Sequence, residues 1–201
     1  MNEHSSPQKA PRPCKREAIL RAALHVFAER GVNGVAVPEI SALAGVGTGT
    51  IYRYFDSKEA LVNELFREEK QALGRRLFTD VDRNADPYAL FCDFWERQLT
   101  FIREAPDAYR FLELQDHQPY LDEASREQER RILAPITKTV RLLQEKGVYR
   151  SDIRSEVLMA MVWGVVVNLF KSDRTGHLSL SESDLLAARD ACWALLCGPA
   201  R

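Results

Sequence analysis

The sequence predicts an all-α protein of about nine helices, a small N-terminal helix-turn-helix unit joined to a larger helical body. Two observations predict it. Nearly every periodic stretch repeats its apolar residues at three- and four-residue spacing, which lines one face of a helix, and no stretch alternates apolar and polar residues as a half-buried strand would. The stretches are also punctuated by residues that start and stop helices.

In chain order, residues 1–13 are polar and proline-bearing and read as a disordered tail. From about 14 to 30, Ile19, Ala22, Ala23, Val26 and Phe27 share one helix face and Glu17, Arg21, His25 and Glu29 the other. Gly31 is expected to stop this helix as a left-handed cap. Two short helices follow, roughly 38–44 and 48–54, separated by Gly45-Val46-Gly47. Ser57 caps a long helix reaching about 78, with Leu61, Leu65, Ala72, Leu73 and Leu77 inward. Asp86-Pro87 pairs an N-cap carboxylate with the residue best suited to the first helical position. The helix it opens buries Phe91, Phe94, Trp95, Gln98 and Ile102 and ends before Pro106. A shorter segment runs from 106 to about 116, and a long one from about 120 to 146 carries Ile132, Ile136, Val140 and Leu143 inward. Pro135 is expected to kink it and Gly147 to stop it. Two last helices span about 153–171 and 182–197.

Composition narrows the functional classes. The chain has 201 residues, 45% hydrophobic and 28% charged, which excludes a wholly disordered polymer. Its formal charge of −1 hides an asymmetry. Residues 1–58 carry eight Lys or Arg against five acids, whereas 59–201 carry twenty against twenty-four. A basic end on an acidic remainder points that end toward a polyanion. Four cysteines (Cys14, Cys92, Cys192, Cys197) lack paired C-x-x-C spacing, and four scattered histidines form no H-E-x-x-H. Neither a metal site nor a disulfide scaffold is expected. The longest apolar run, Val157–Val167, has 11 residues where a membrane span needs about 20. The expectation is a soluble, cytoplasmic protein with no membrane partner and no cofactor.

The informative stretch is Val37 to Phe55. Ile40, Leu43 and Ala44 are expected to line the inner face of its first helix, Val46 the corner, and Ile51 and Phe55 the inner face of its second. Gly45 permits the turn between them. The outward face of the second piece keeps Thr48, Gly49, Thr50, Tyr52 and Arg53 and no acid, so it can approach phosphates without repulsion. Residue chemistry alone leaves two readings open, a DNA-reading helix and a helical hairpin with an incidentally polar face.

Residues 15–61 resemble the DNA-binding region of the TetR family of bacterial transcriptional regulators. The matching features are Ile19, Ala22-Ala23, Phe27-x-x-x-Gly31, Ile40, Ala44-Gly45-Val46, Gly49-Thr50-Ile51-Tyr52, Tyr54-Phe55 and Ser57-Lys58-Glu59-Ala60-Leu61. The resemblance implies a helix-turn-helix DNA-binding domain over 14–60, with the motif at about 36–55. It implies that Thr48, Gly49, Thr50, Tyr52, Arg53 and Tyr54 belong to or flank the recognition helix, and that Lys58 contacts a phosphate. The chain departs from the family pattern at Ala36 (often Thr), Pro38 (often Arg or Lys) and Gly47 (usually Ser).

For 61–201 the resemblance implies a helical ligand-binding and dimerisation domain. Val157–Val167 is apolar around its whole circumference and must be covered on both sides. The last helix has an apolar stripe at Leu185, Ala188, Cys192, Leu195 and Leu196. An interface with a second copy is therefore expected at Val162, Val166, Asn168, Leu185, Cys192 and Leu195, with Asn168 fixing register by a hydrogen bond. A monomer that buries the helix itself is the alternative. Candidate effector contacts are Phe91, Phe94, Trp95, Gln98, Phe111, His117 and Trp163, although aromatics at helical spacing also make plain core.

The leading expectation is a homodimer on a double-stranded DNA operator, a repressor released by a small, largely hydrophobic effector. A constitutive DNA-binding protein without effector is one alternative. A small helical enzyme is another, although no nucleophile motif, phosphate loop or metal cluster is visible.

Overall fold

The computed structural model describes residues 14–82 and 84–198; the tail reading of 1–13 lies outside them. Among the described residues there are nine α-helices and no strand. They are α1 (Lys15–Arg30), α2 (Val37–Ala44), α3 (Thr48–Tyr54), α4 (Lys58–Phe78), α5 (Pro87–Glu104), α6 (Pro106–Tyr109), α7 (Glu123–Glu145), α8 (Ser155–Arg174) and α9 (Glu182–Cys197). A π-helical turn, Arg110–Leu114, continues α6, and a 3-10 turn, Gln118–Tyr120, precedes α7.

Helices α1, α2 and α3 pack together and rest on the start of α4. Phe27, Ile40, Ile51, Leu61 and Leu65 form the buried centre of this unit. The 21-residue α4 continues out of it to pack on α5 and α7, while α5, α7, α8 and α9 complete the body. One helix thus serves both halves. Gly74 is the close approach between α4 and α7: a Cβ there would lie 3.1 Å from Ile132 Cγ2. Asn63 fastens α4 to the start of α7, donating to the Tyr120 carbonyl at 2.8 Å and accepting from the Asp122 N–H and the Ser125 hydroxyl, each at 2.8 Å.

The start signals act as expected. Asp86 accepts from the Tyr88 and Ala89 N–H groups, and Ser57 from Ala60 N–H. Several details differ. Leu43 is 55% exposed, and the inner row of α2 holds the buried Ser41 instead. Gly31 has φ 71° but ψ 166°, so the chain leaves α1 extended rather than through a left-handed helical cap. The 106–116 segment breaks into α6 and the wider π turn. Ala72, Phe94, Ile132 and Ile136 are half-buried. Pro135 leaves the Arg131 carbonyl without its helical donor, yet α7 runs through it.

Helix α8 corrects the membrane reading in one respect. Its 20 residues are long and apolar enough to cross a bilayer by length and composition alone. Here Leu158, Val162 and Val166 pack it into the protein core, while Val157 and Met161 stay 37% and 39% exposed.

Candidate nucleic-acid interface and effector core

The sharp turn between α2 and α3 depends on Gly45, at φ 66° and ψ 34°, a backbone conformation that costs glycine least. Gly45 N–H bonds Ala42 O and Val46 N–H bonds Ser41 O, which closes the end of α2. Ile40 and Ile51 are both buried in the core, at 0% and 1% exposure. The burial of Ile51 turns the opposite side of α3 outward. Gly49, Tyr52, Arg53 and Tyr54 are exposed there, and Thr48 and Thr50 are half-exposed. No acidic residue lies on α3, and Arg53 makes no ion pair among the described residues.

The departures at Ala36 and Gly47 leave both helices without an N-cap side chain. Two other residues take over the work. Glu39 reaches back to accept the Ala36 N–H at 2.9 Å and also pairs with Arg30 of α1. The Ala36 N–H and, next, the Arg30 guanidinium hold the Glu39 carboxyl below its ordinary range. Ser41 Oγ donates to Pro38 O at 2.8 Å and lies 3.0 Å from Thr48 Oγ1 at the start of α3. Lys58 is half-buried at the start of α4, and its Nζ donates to Val35 O at 2.6 Å. The expected phosphate anchor therefore also braces the loop entering α2, with two ammonium protons left over.

The junction with the body is polar. Gln115 donates to Ala28 O at 2.8 Å, His25 Nδ1 lies 3.0 Å from Asp107, and Arg110 bridges Glu29 and Asp107. Each contact joins α1 to α6 or to the segment just beyond it.

Of the expected effector contacts, Phe91, Trp95, Gln98, Phe111 and His117 are buried, and Phe94 and Trp163 are half-buried. They do not all converge. His117 is sandwiched with Phe66 and Phe111, at ring separations of 4.9 and 5.3 Å. Burial first, and the Lys70 charge second, push its pKa down. Trp163 Nε1 donates to Glu113 at 2.7 Å. Lys70, 8% exposed, lies 3.0 Å from Glu129 and 3.5 Å from Glu113, a buried ionic cluster that no local pattern announces. Trp95 Nε1, both polar atoms of Gln98, and His117 Nδ1 have no hydrogen-bond partner among the described residues. Among the described residues no group of three or more His, Cys, Asp or Glu is placed to hold a metal.

The expected interface residues divide. Val162, Val166, Leu185 and Cys192 lie inside the protein's own core, so they cannot form an outer face; an all-apolar helix gives no clue to which side its neighbours cover. Leu195 is half-buried, and Asn168 is exposed with its amide donating to Gly164 O at 2.8 Å. The uncovered stripe of α8 runs through Val157, Ala160 and Met161 to Asn168, and on α9 through Leu186, Ala187, Ala191 and Ala194.

Comparison with known proteins matches both halves. Residues 19–65 match the model of the bacterial regulatory proteins of the tetR family, and 66–196 match that of the tetracyclin repressor-like C-terminal domain. A helix-turn-helix transcriptional regulator of Mycobacterium tuberculosis, itself uncharacterised, is 31% identical over 90 residues, 45% of each chain. The fatty acid metabolism regulator protein of Bacillus subtilis is 39% identical over 77 residues, 38% of this chain and 39% of that one. These alignments span less than half of either relative. A solved TetR-family structure from Vibrio parahaemolyticus superposes with a TM-score of 0.74 at 25% identity, over 90% of this chain and 98% of the other.

Proposed function

This chain belongs to the TetR family of bacterial regulatory proteins, and on that premise we propose that it is a homodimeric transcriptional repressor. In this reading it leaves its operator when a small, mostly apolar effector enters its helical body. The observation that carries the reading is α3: an acid-free, solvent-facing helix whose Thr48, Gly49, Thr50, Tyr52, Arg53 and Tyr54 stand beside Lys58. Tyr52 and Lys58 suit phosphates, while Thr50 and Arg53 reach base edges in a major groove.

The chain divides in function near residue 60, with DNA binding before it and effector binding and dimerisation after it. The apolar stripe of α8 and the small-residue stripe of α9 support a two-fold interface, which would set two reading helices about 34–36 Å apart or a multiple of that. The effector reading draws support from the buried, unpartnered Gln98 and from a relative that regulates fatty acid metabolism. Contacts of α1 with Asp107, Arg110 and Gln115 supply the route from body to reading head, and about 1–3 kcal/mol of coupling suffices. The protein acts in the cytoplasm, as a regulator rather than an enzyme.

The test is selection of genomic double-stranded DNA fragments on the purified protein, then footprinting. A two-fold operator protected by wild type and lost on Arg53→Ala supports the reading. Equal retention of all fragments by both proteins overturns it.

A further inference from the structure

Gln98 is the anomaly of the interior. It is 1% exposed, and neither its Oε1 nor its Nε2 meets a partner among the described residues. Trp95 Nε1, one turn earlier on the same buried face of α5, is unpartnered as well. A buried amide without partners is destabilising, and an apolar side chain of similar shape would remove the cost. The same helix buries apolar side chains beside them: Phe91 packs on Trp95 at 6.2 Å between ring centroids, and Leu99, Phe101 and Ile102 are buried.

Resting on the effector reading above, we propose that Gln98 and Trp95 recognise the head group of the effector, and that this head group is an uncharged carboxamide or lactam on an apolar body. The Gln98 side chain presents an acceptor beside a donor, which another amide matches with two parallel hydrogen bonds. The second lone pair of that ligand carbonyl is then free to accept from the Trp95 indole N–H. A carboxylate offers nothing to Gln98 Oε1, an ammonium offers nothing to Gln98 Nε2 or Trp95, and a hydrocarbon satisfies none of the three atoms. A charged head group would also need a buried counter-ion. The buried cation Lys70 is already matched by Glu113 and Glu129.

The test is a matched panel of decanamide, 6-pentylpiperidin-2-one (a small-ring lactam that holds its N–H beside its C=O), decanoate, decylamine and decanol. Each is measured by thermal shift on wild type, Gln98→Leu and Trp95→Phe, and by release of the selected operator. The two amides should bind wild type best and lose at least about tenfold in affinity on Gln98→Leu. Trp95→Phe keeps an aromatic ring, removes the indole N–H and should weaken them less. Ligand-free Gln98→Leu should melt above wild type. If Gln98→Leu does not fold, the Trp95→Phe comparison decides alone. The proposal falls if decanoate, decylamine or decanol outranks the amides, if both variants bind the amides as wild type does, or if no panel member binds. Operator release by decanoate alone would overturn the head-group assignment and leave the repressor reading standing. Amide binding through Gln98 without operator release would do the reverse.

Discussion

Ser41 Oγ and Thr48 Oγ1 lie 3.0 Å apart, joining the buried row of α2 to the first residue of the reading helix. Because Ser41 already donates to Pro38 O, Thr48 must be the donor in this pair. Its proton is engaged inside the protein, so the hydroxyl can only accept from outside. Thr48 is therefore able to meet a base amino group and unable to donate to a phosphate. Ser41→Ala should cost about 0.5–1.5 kcal/mol in urea unfolding and weaken operator binding without touching DNA. Unchanged stability and affinity would show that the hydroxyl pair does not position α3.

Lys58 has two duties, and they separate by experiment. Lys58→Ala removes one phosphate charge per protomer, so the slope of log K against log[salt] should shrink by about 1.8 for a dimer. It also removes the brace on Val35 O, so unfolding free energy should fall by about 1 kcal/mol. A changed sequence preference with an unchanged salt slope would make Lys58 a base reader.

A second copy should dock on the exposed stripe of α8. Met161→Glu should give a folded monomer by sedimentation at micromolar concentration, with operator binding lost. Val166→Glu, at a position 2% exposed, should instead destabilise the protomer by about 3 kcal/mol or more. A Met161→Glu protein that still sediments as a dimer would place the interface on another face.

Acid should loosen the body before its carboxylates titrate. His117 in the folded protein has a pKa below its ordinary 6.5, and Lys70, Glu113 and Glu129 are the charges around it. Below pH 6.5 the unfolded chain takes up a proton that folded His117 refuses, so stability is complete above that pH and declines beneath it. One proton sets the upper bound of that slope at about 1.4 kcal/mol per pH unit, and the decline ends once the folded imidazole itself titrates. His117→Phe, which keeps the stacking on Phe66 and Phe111, should flatten the profile between pH 6.5 and the carboxylate range. A profile identical to wild type would assign the acid sensitivity elsewhere.

The reading surface was legible because its causes are local. Gly45 marks a turn, Ile40 and Ile51 mark the faces that meet, and the acid-free remainder of α3 follows from helical geometry. The Asp86-Pro87 start was legible for the same reason. Leu43 was misplaced because eight residues of α2 do not fix a phase, and the buried Ser41 hydroxyl is satisfied by a carbonyl one turn back. Val162 and Val166 were misplaced because an apolar circumference has no preferred inner side until α7 and α9 pack against it. No local pattern marks Lys70 as buried, since Glu113 and Glu129, which make its burial tolerable, lie far along the chain. The π turn at Arg110–Leu114 has no residue signature of its own.

Whether α3 reads double-stranded DNA is decided by operator titration of Arg53→Ala. Arg53 is exposed and makes no ion pair among the described residues, so the substitution should leave the fold and dimer intact. Binding should weaken by about 1–3 kcal/mol for each base pair that Arg53 contacts, with discrimination relaxed at those positions alone. Operator affinity and base preference equal to wild type, in a folded Arg53→Ala dimer, would contradict DNA reading by α3.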